Sequence, residues 1–282
     1  MNTLFQIPEV KTNSAYEIMD GLDISANSKK EYKARLEHFL QFVSETGMNR
    51  DILVQYKRRL ENRIDLGVSS RNKYFNAAKQ FLKECYRKGH IQFDVTTNVK
   101  QFKQTSGHKK FGHTSKEVSA LLSNANTQRD RAILSLMIYQ GLRQCEIVRL
   151  EIKDLNFDKK TAMIQGKGRD DKEMIHLHSE VVTYLKEYIE FSHLKQGMLF
   201  NVTDRTIRNI HSRLANKLGI KATAHGLRHY FTTRLLQAYN GDVKKVKNWT
   251  RHKCLETIMI YNDEVTILEE DVPIFEEAFS KI

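Results

Sequence analysis

At 282 residues the chain is long enough for two domains with cores of their own, although one large domain also fits that length. Lysine and arginine number 46 against 34 aspartates and glutamates, and the formal charge of +12 favours a polyanionic partner, nucleic acid first and an acidic membrane surface second. Three scattered cysteines (Cys85, Cys145, Cys254) in no metal-type spacing read as reduced thiols, and neither a secretory leader nor an apolar run of membrane-spanning length occurs, so the expectation is a cytoplasmic protein without disulfide framework, metal centre or membrane anchor.

Only 2 prolines and 13 glycines interrupt long stretches of helical periodicity, so the expected fold is mainly α. Residues 1–13 read as a loose leader, with Pro8 against an early helix. From Ser28 apolar residues recur every three to four positions (Tyr32, Leu36, Phe39/Leu40, Val43) until Gly47. A second helix carries Ile52/Leu53, Tyr56, Leu60 and Ile64 and closes at Gly67. A third, capped by Ser69 or Ser70, carries Tyr74, Ala77/Ala78, Phe81/Leu82 and Cys85/Tyr86 before Gly89. Short loops between amphipathic helices predict a small helical bundle over residues 1–105. Its polar faces hold Lys57, Arg58, Arg71, Lys73, Lys79 and Lys83, which are either DNA contacts or simply solvated.

Between about 94 and 113 the apolar rhythm fades, which marks a linker, and Thr114-Ser-Lys-Glu117 reads as a capping box opening a second domain over 114–282. The run Ala132–Tyr139 is nearly all apolar, hence a buried helix; Gly141 breaks it and Arg143 begins the next short one. Asp154–Phe157, Thr161–Gln165 and Glu173–Leu177 predict a small three-stranded antiparallel sheet, with Lys167 on its second turn. Helices are expected again over 179–192, 203–218, 225–238, 242–249, 254–261 and 272–280. On the second of these Ile207, Ile210, Leu214 and Leu218 face inward, while Arg205, Arg208 and Arg213 lie away from that stripe.

Chemistry concentrates in Thr223-Ala-His-Gly-Leu-Arg-His-Tyr-Phe. His225 and Arg228 are three apart and share a helix face, so imidazole and guanidinium donors converge on one point, an arrangement suited to a phosphate oxygen. Gly141-Leu-Arg-Gln-Cys-Glu, Gly166-Lys-Gly-Arg and Arg251-His-Lys through Ile260-Tyr supply Arg143 with Glu146, Lys167, His252 and Tyr261. Singly, each has an ordinary reading: a surface arginine, a hairpin-turn lysine, capping or core histidines, a packed aromatic.

Together, Gly-Leu-Arg-x-x-Glu, His-x-Leu-Arg-His and a tyrosine nine residues after a histidine closely resemble the tyrosine recombinases, over about residues 114–265 and more weakly over the N-terminal bundle. The resemblance implies a core-binding bundle followed by a catalytic domain. It implies Tyr261 as nucleophile on a DNA phosphate, leaving a 3′-phosphotyrosine, because a phenol of pKa near 10 needs activation but its phosphate ester preserves bond energy for religation. Arg143 and Arg228 would clamp the non-bridging oxygens, His225 and His252 would donate further hydrogen bonds or relay the tyrosine proton, and Lys167 would protonate the departing 5′-oxygen. Glu146 would orient Arg143; His229 is assigned a structural role. No metal or other cofactor is implied, since the guanidiniums supply the positive charge, and no metal-ligand or phosphate-loop motif is present. Where relatives have Leu-Gly-His before the tyrosine, this chain has Thr250-Arg251-His252, which removes a glycine and adds a cation.

Double-stranded DNA is the implied partner, bound by a homotetramer on two sites, with the helix 272–280 packing into a neighbouring protomer. The absence of a large segment ahead of the bundle favours a minimal two-domain enzyme serving a mobile element, by cointegrate resolution or integration. Xer-type dimer resolution comes next; a type IB topoisomerase and a non-catalytic DNA-binding protein of the same fold are further alternatives. Arg71, Lys73, Lys79, Arg205 and Arg208 are the expected DNA contacts, on the helices 69–88 and 203–218.

Overall fold

The amphipathic spacings translate into eleven α-helices and one small sheet among the described residues of the computed structural model, namely 12–104, 112–166, 168, 170–251 and 258. The chain divides into two compact units, Met1–Gly107 and His108–Ile282.

In the first unit α1 (Thr12–Asp20), α2 (Ala26–Thr46), α3 (Ile52–Glu61) and α4 (Val68–Arg87) share one core. Ser25 caps α2 by accepting the Ser28 N–H, and Gly47, at φ 76°, ends it. Leu36, Phe39, Tyr56, Leu60, Phe75 and Leu82 are fully buried, each worth roughly 2 kcal/mol of transfer free energy. Tyr56 meets Phe39 edge-on, with ring centroids 4.9 Å apart, and shares a 2.9 Å hydrogen bond with His38 Nδ1.

Three expectations are corrected here. A helix, α1, lies directly after residue 11, where the sequence showed only a leader running to residue 13. The second helix ends at Glu61 rather than Gly67, leaving Ile64 93% exposed. Gly67, not a serine, caps α4, and without a side-chain bond.

Residues 94–104 are also more than a linker. Asp94 accepts bonds from the Thr96 N–H and hydroxyl at 2.8 and 2.6 Å, the Asn72 amide pairs in both directions with the Phe102 backbone, and Val95, Val99 and Phe102 pack on the core.

The second unit begins with α5 (Ser115–Ser123), opened by the Thr114/Glu117 capping box that the sequence predicts. The helix α6 (Gln128–Tyr139) is buried without a break from Ala132 to Ile138 and forms the centre of the unit, packed by α8 (Ser179–Ser192) and α10 (Ala224–Ala238). Between them run the one-and-a-half-turn α7 (Gln144–Val148) and the antiparallel sheet of β1 (Leu155–Asn156), β2 (Thr161–Gln165) and β3 (Lys172–His176), in the order β1-β2-β3. Ala162 and Ile164 point inward from β2 while Met163 faces out, the period-two alternation of a half-buried strand. The remaining helices are α9 (Asp204–Lys217) and α11 (Val243–Thr250). Arg213, on the polar side of α9, pairs at 2.7 Å with the buried Asp130 of α6. Among the described residues no helix is long and apolar enough to cross a membrane. The expected helices 254–261 and 272–280 fall outside the described residues, apart from Ile258.

Candidate active site

The break after α6 creates the first half of the site. Gly141 takes φ 58°, and a Cβ there would lie 2.3 Å from the Phe231 ring of α10, so no side chain fits. The chain then turns so that Arg143 caps α7, its N–H donating to Glu146 Oε2 at 2.8 Å and its guanidinium to Oε1 at 2.9 Å. Glu146 is fully enclosed. Burial pushes its carboxyl group up, but the charge of Arg251, the Arg143 N–H bond and the charges of Arg143 and Arg228 outweigh burial and hold it below the ordinary carboxylate value. Glu146 thus receives both the backbone N–H and the guanidinium of Arg143.

Arg228 supplies the second half. It lies one turn inside α10, is 2% exposed, and donates to the carbonyls of Gly141 and Thr250. One guanidinium thus ties the turn before Arg143 to the end of α11. Three residues earlier, in the first turn, His225 is exposed. The expected shared face is present, but its two members differ in burial because His225 sits at the helix end while Arg228 reaches beneath the α6–α7 turn. His229 is buried in a tight contact, where a Cβ on Gly112 would lie 2.7 Å from its Nδ1.

Arg251 carries the main feature that the motifs alone leave out. It ends α11 at φ 55°, ψ 36°, the left-handed conformation that glycine adopts without strain, so loss of the glycine leaves the backbone path intact at a cost of about 1–2 kcal/mol. The added cation is not loose. With its side chain 7% exposed, it donates to Glu146 Oε2 at 2.9 Å, and its Nε lies 3.1 Å from Glu173 Oε1, close enough for an ion pair though not aligned as a hydrogen bond. The departure from Leu-Gly-His was visible in the sequence; its two carboxylate partners, 105 and 78 positions away, were not.

Lys167, His252 and Tyr261 lie outside the described residues. The hairpin that carries Lys167 is β2–β3, and Arg149 reaches the Gly166 carbonyl at its turn. Arg205 and Arg208 are exposed on α9, which packs against α7. In the first unit Lys73 is exposed, whereas Arg71 donates to the Arg63 carbonyl and Lys79 to that of Val99, at 2.8 and 2.7 Å.

The model of the phage integrase family matches residues 113–266, over half of the chain. Tyrosine recombinase XerD of Listeria monocytogenes is 27% identical across 88% of this chain and 92% of its own length. Tyrosine recombinase XerA of Pyrococcus horikoshii is 28% identical over a shorter stretch, 54% of this chain and 56% of that protein. Among solved structures, XerH bound to a palindromic difH substrate superposes with a TM-score of 0.72 at 20% identity, covering 96% of this chain and 84% of that one. A lambda integrase dimer bound to a COC′ core site gives 0.71 at 14% identity, covering 88% and 93%. These structural likenesses show the fold, and the family match shows the lineage: the chain belongs to the phage integrase family of tyrosine recombinases, enzymes that break and rejoin DNA strands at specific sites.

Proposed function

We propose that the chain cleaves one strand of a DNA recombination site through Tyr261 and rejoins it to a different end. The observation that carries this reading is the preorganised cationic cluster, in which Arg143 is fixed by an enclosed carboxylate and Arg228 by two backbone carbonyls. Fixed guanidiniums stabilise negative charge developing on a phosphate without reorganising at the moment of reaction. The Tyr261 oxygen attacks phosphorus, the bond from phosphorus to the 5′-oxygen breaks, and its electron pair leaves on that oxygen, which takes a proton from Lys167. The phenolic proton passes to His225 or His252, or through them to water. Rejoining reverses these steps with a 5′-hydroxyl as nucleophile.

In this reading 114–282 is the catalytic domain and 1–105 the core-binding one. Lys73, Arg205 and Arg208 contact DNA, as do Arg71 and Lys79 with whatever donors their carbonyl bonds leave. Four protomers act on two sites, with 272–280 packing on a neighbour. We favour recombination for a mobile element; the XerD alignment over 92% of that protein supports dimer resolution as the second reading.

The test uses nicked suicide duplexes tiled from the flanks of the gene, incubated with the protein in chelator and resolved in SDS. Wild type gives a detergent-resistant protein–DNA band and Tyr261→Phe gives none. Absence of that band with DNA the wild type demonstrably binds would instead favour a non-catalytic DNA-binding protein.

A further inference from the structure

We propose that Arg251 is a positioning residue for strand cleavage, holding the β2–β3 hairpin, and with it Lys167, in register with the carboxylate that fixes Arg143. The inference rests on the reading of Lys167 as the acid that protonates the 5′-oxygen.

Three observations lead to it. The Arg251 side chain is buried and spans two carboxylates, Glu146 beneath Arg143 and Glu173 on β3. Glu173 pairs with Ile164 in the ladder and so lies on the core-facing side of the sheet, where its half-buried carboxylate meets the Arg251 guanidinium. The other foot of the hairpin turn is held from the same segment, since Arg149 donates to the Gly166 carbonyl at 3.4 Å. Both feet of the turn thus run back to residues 143–149, one through Arg149 and one through Arg251 and Glu146. A glycine at position 251 keeps the left-handed turn but makes neither ion pair. Arg251 therefore does through its side chain something that the glycine of Leu-Gly-His cannot do.

A brace for the acid and a general structural brace make different kinetic predictions. If Arg251 acts through Lys167, its loss matters only while the leaving group needs a proton. Replacing the scissile 5′-oxygen by sulfur removes that need, because a thiol is far more acidic than an alcohol and its sulfur leaves as thiolate, carrying the electron pair, without first taking a proton. The full-length protein is assayed in single-turnover cleavage of nicked suicide duplexes with 5′-oxygen or 5′-sulfur, as wild type, Arg251→Gly, Arg251→Lys, Glu173→Gln and Lys167→Ala, alongside DNA affinity for each.

We expect Arg251→Gly to cut the oxygen substrate at least about tenfold more slowly, part of the ~10²–10⁴ that a placed acid contributes. It should bind DNA as wild type does and recover wild-type rate on the sulfur substrate. Glu173→Gln, which keeps the shape and removes one charge, should show a smaller defect with the same rescue, and Arg251→Lys should lie between. If Lys167→Ala is rescued by sulfur while Arg251→Gly stays slow on both substrates, the positioning role is wrong and the Lys167 reading stands. Wild-type rates for Arg251→Gly on oxygen likewise overturn it. If Lys167→Ala is not rescued, the assignment of the acid itself fails and this inference goes with it.

Discussion

Gly141 shows how much a single position decides. Its φ of 58° penalises any side chain by about 1–2 kcal/mol, and the space where a Cβ would go is taken by the Phe231 ring. Its carbonyl also receives Arg228, so a shift of this turn moves one arginine of the cluster and the start of another. Gly141→Ala should therefore lower unfolding stability by about 2–4 kcal/mol, the range of steric insertion plus backbone strain, and should slow cleavage more than DNA binding. Urea unfolding together with single-turnover cleavage reads both, and a loss under about 0.5 kcal/mol would mean that Phe231 moves aside cheaply. At this scale the sequence was legible as a pattern but not as a cause. Gly-Leu-Arg and His-x-Leu-Arg-His stand in plain view, yet the reason for the glycine lies 90 residues on at Phe231. The sense of Arg251 lies in Glu146 and Glu173, which no local window brings beside it.

Between elements, the second unit contains a titrating joint. His211 of α9 and His113, just before α5, are both buried with their Nε2 atoms 3.1 Å apart, and His113 Nε2 also faces the Thr223 carbonyl just before α10. Burial, and then the neighbouring His113, push His211 down to about 4; burial also lowers His113, against the opposing pull of Thr223 and Glu117. A histidine with a folded-state pKa below its unfolded value of 6.5 binds protons more readily when the chain is unfolded. Its contribution is thus intact above pH 6.5 and is lost as pH falls from 6.5 towards 4. For His211 the full loss is on the order of 3 kcal/mol. About 2 kcal/mol of that loss falls between pH 7 and pH 5, so urea unfolding free energies at those two pH values should differ by that much, and His211→Gln should flatten the difference; an equal fall in the variant would place the acid sensitivity elsewhere. Such joints are invisible to periodicity, which reads faces and not which faces meet. The helices α2, α4, α6 and α8 were legible because their apolar spacing is strong, and the sheet because turn residues bracket it. By contrast, α1 was missed because only Ala15, Ile18 and Met19 mark its buried face. The segment 94–104 was missed because polar bonds from Asp94, Asn72 and Lys79, together with a few scattered apolar side chains, hold it down.

For the whole molecule the excess of +12 charges becomes a prediction about salt. A protein that neutralises phosphates releases counterions, so its DNA affinity falls with salt, and each phosphate left without its cation lowers the log–log slope by about 0.9. The two units offer a controlled comparison, because not every basic side chain is equally available for that work. Lys73 is exposed on α4, whereas Lys79, two turns along the same helix, donates to the Val99 carbonyl and closes the segment that ends the first unit. Lys73→Ala should weaken binding to all sequences alike and reduce the slope by about 1, with unfolding unchanged. Lys79→Ala should change the slope less and stability more, by about 1 kcal/mol for a hydrogen bond to a backbone carbonyl. Arg208, exposed on α9, should behave differently from both. If its guanidinium reads a base edge, Arg208→Ala weakens the cognate site by about 1–3 kcal/mol and leaves non-specific binding almost untouched. Titrations of cognate and scrambled duplexes at several salt concentrations separate the three. If Arg208→Ala instead lowers both affinities in parallel, α9 touches only the backbone, and sequence choice has to come from another surface of the protein.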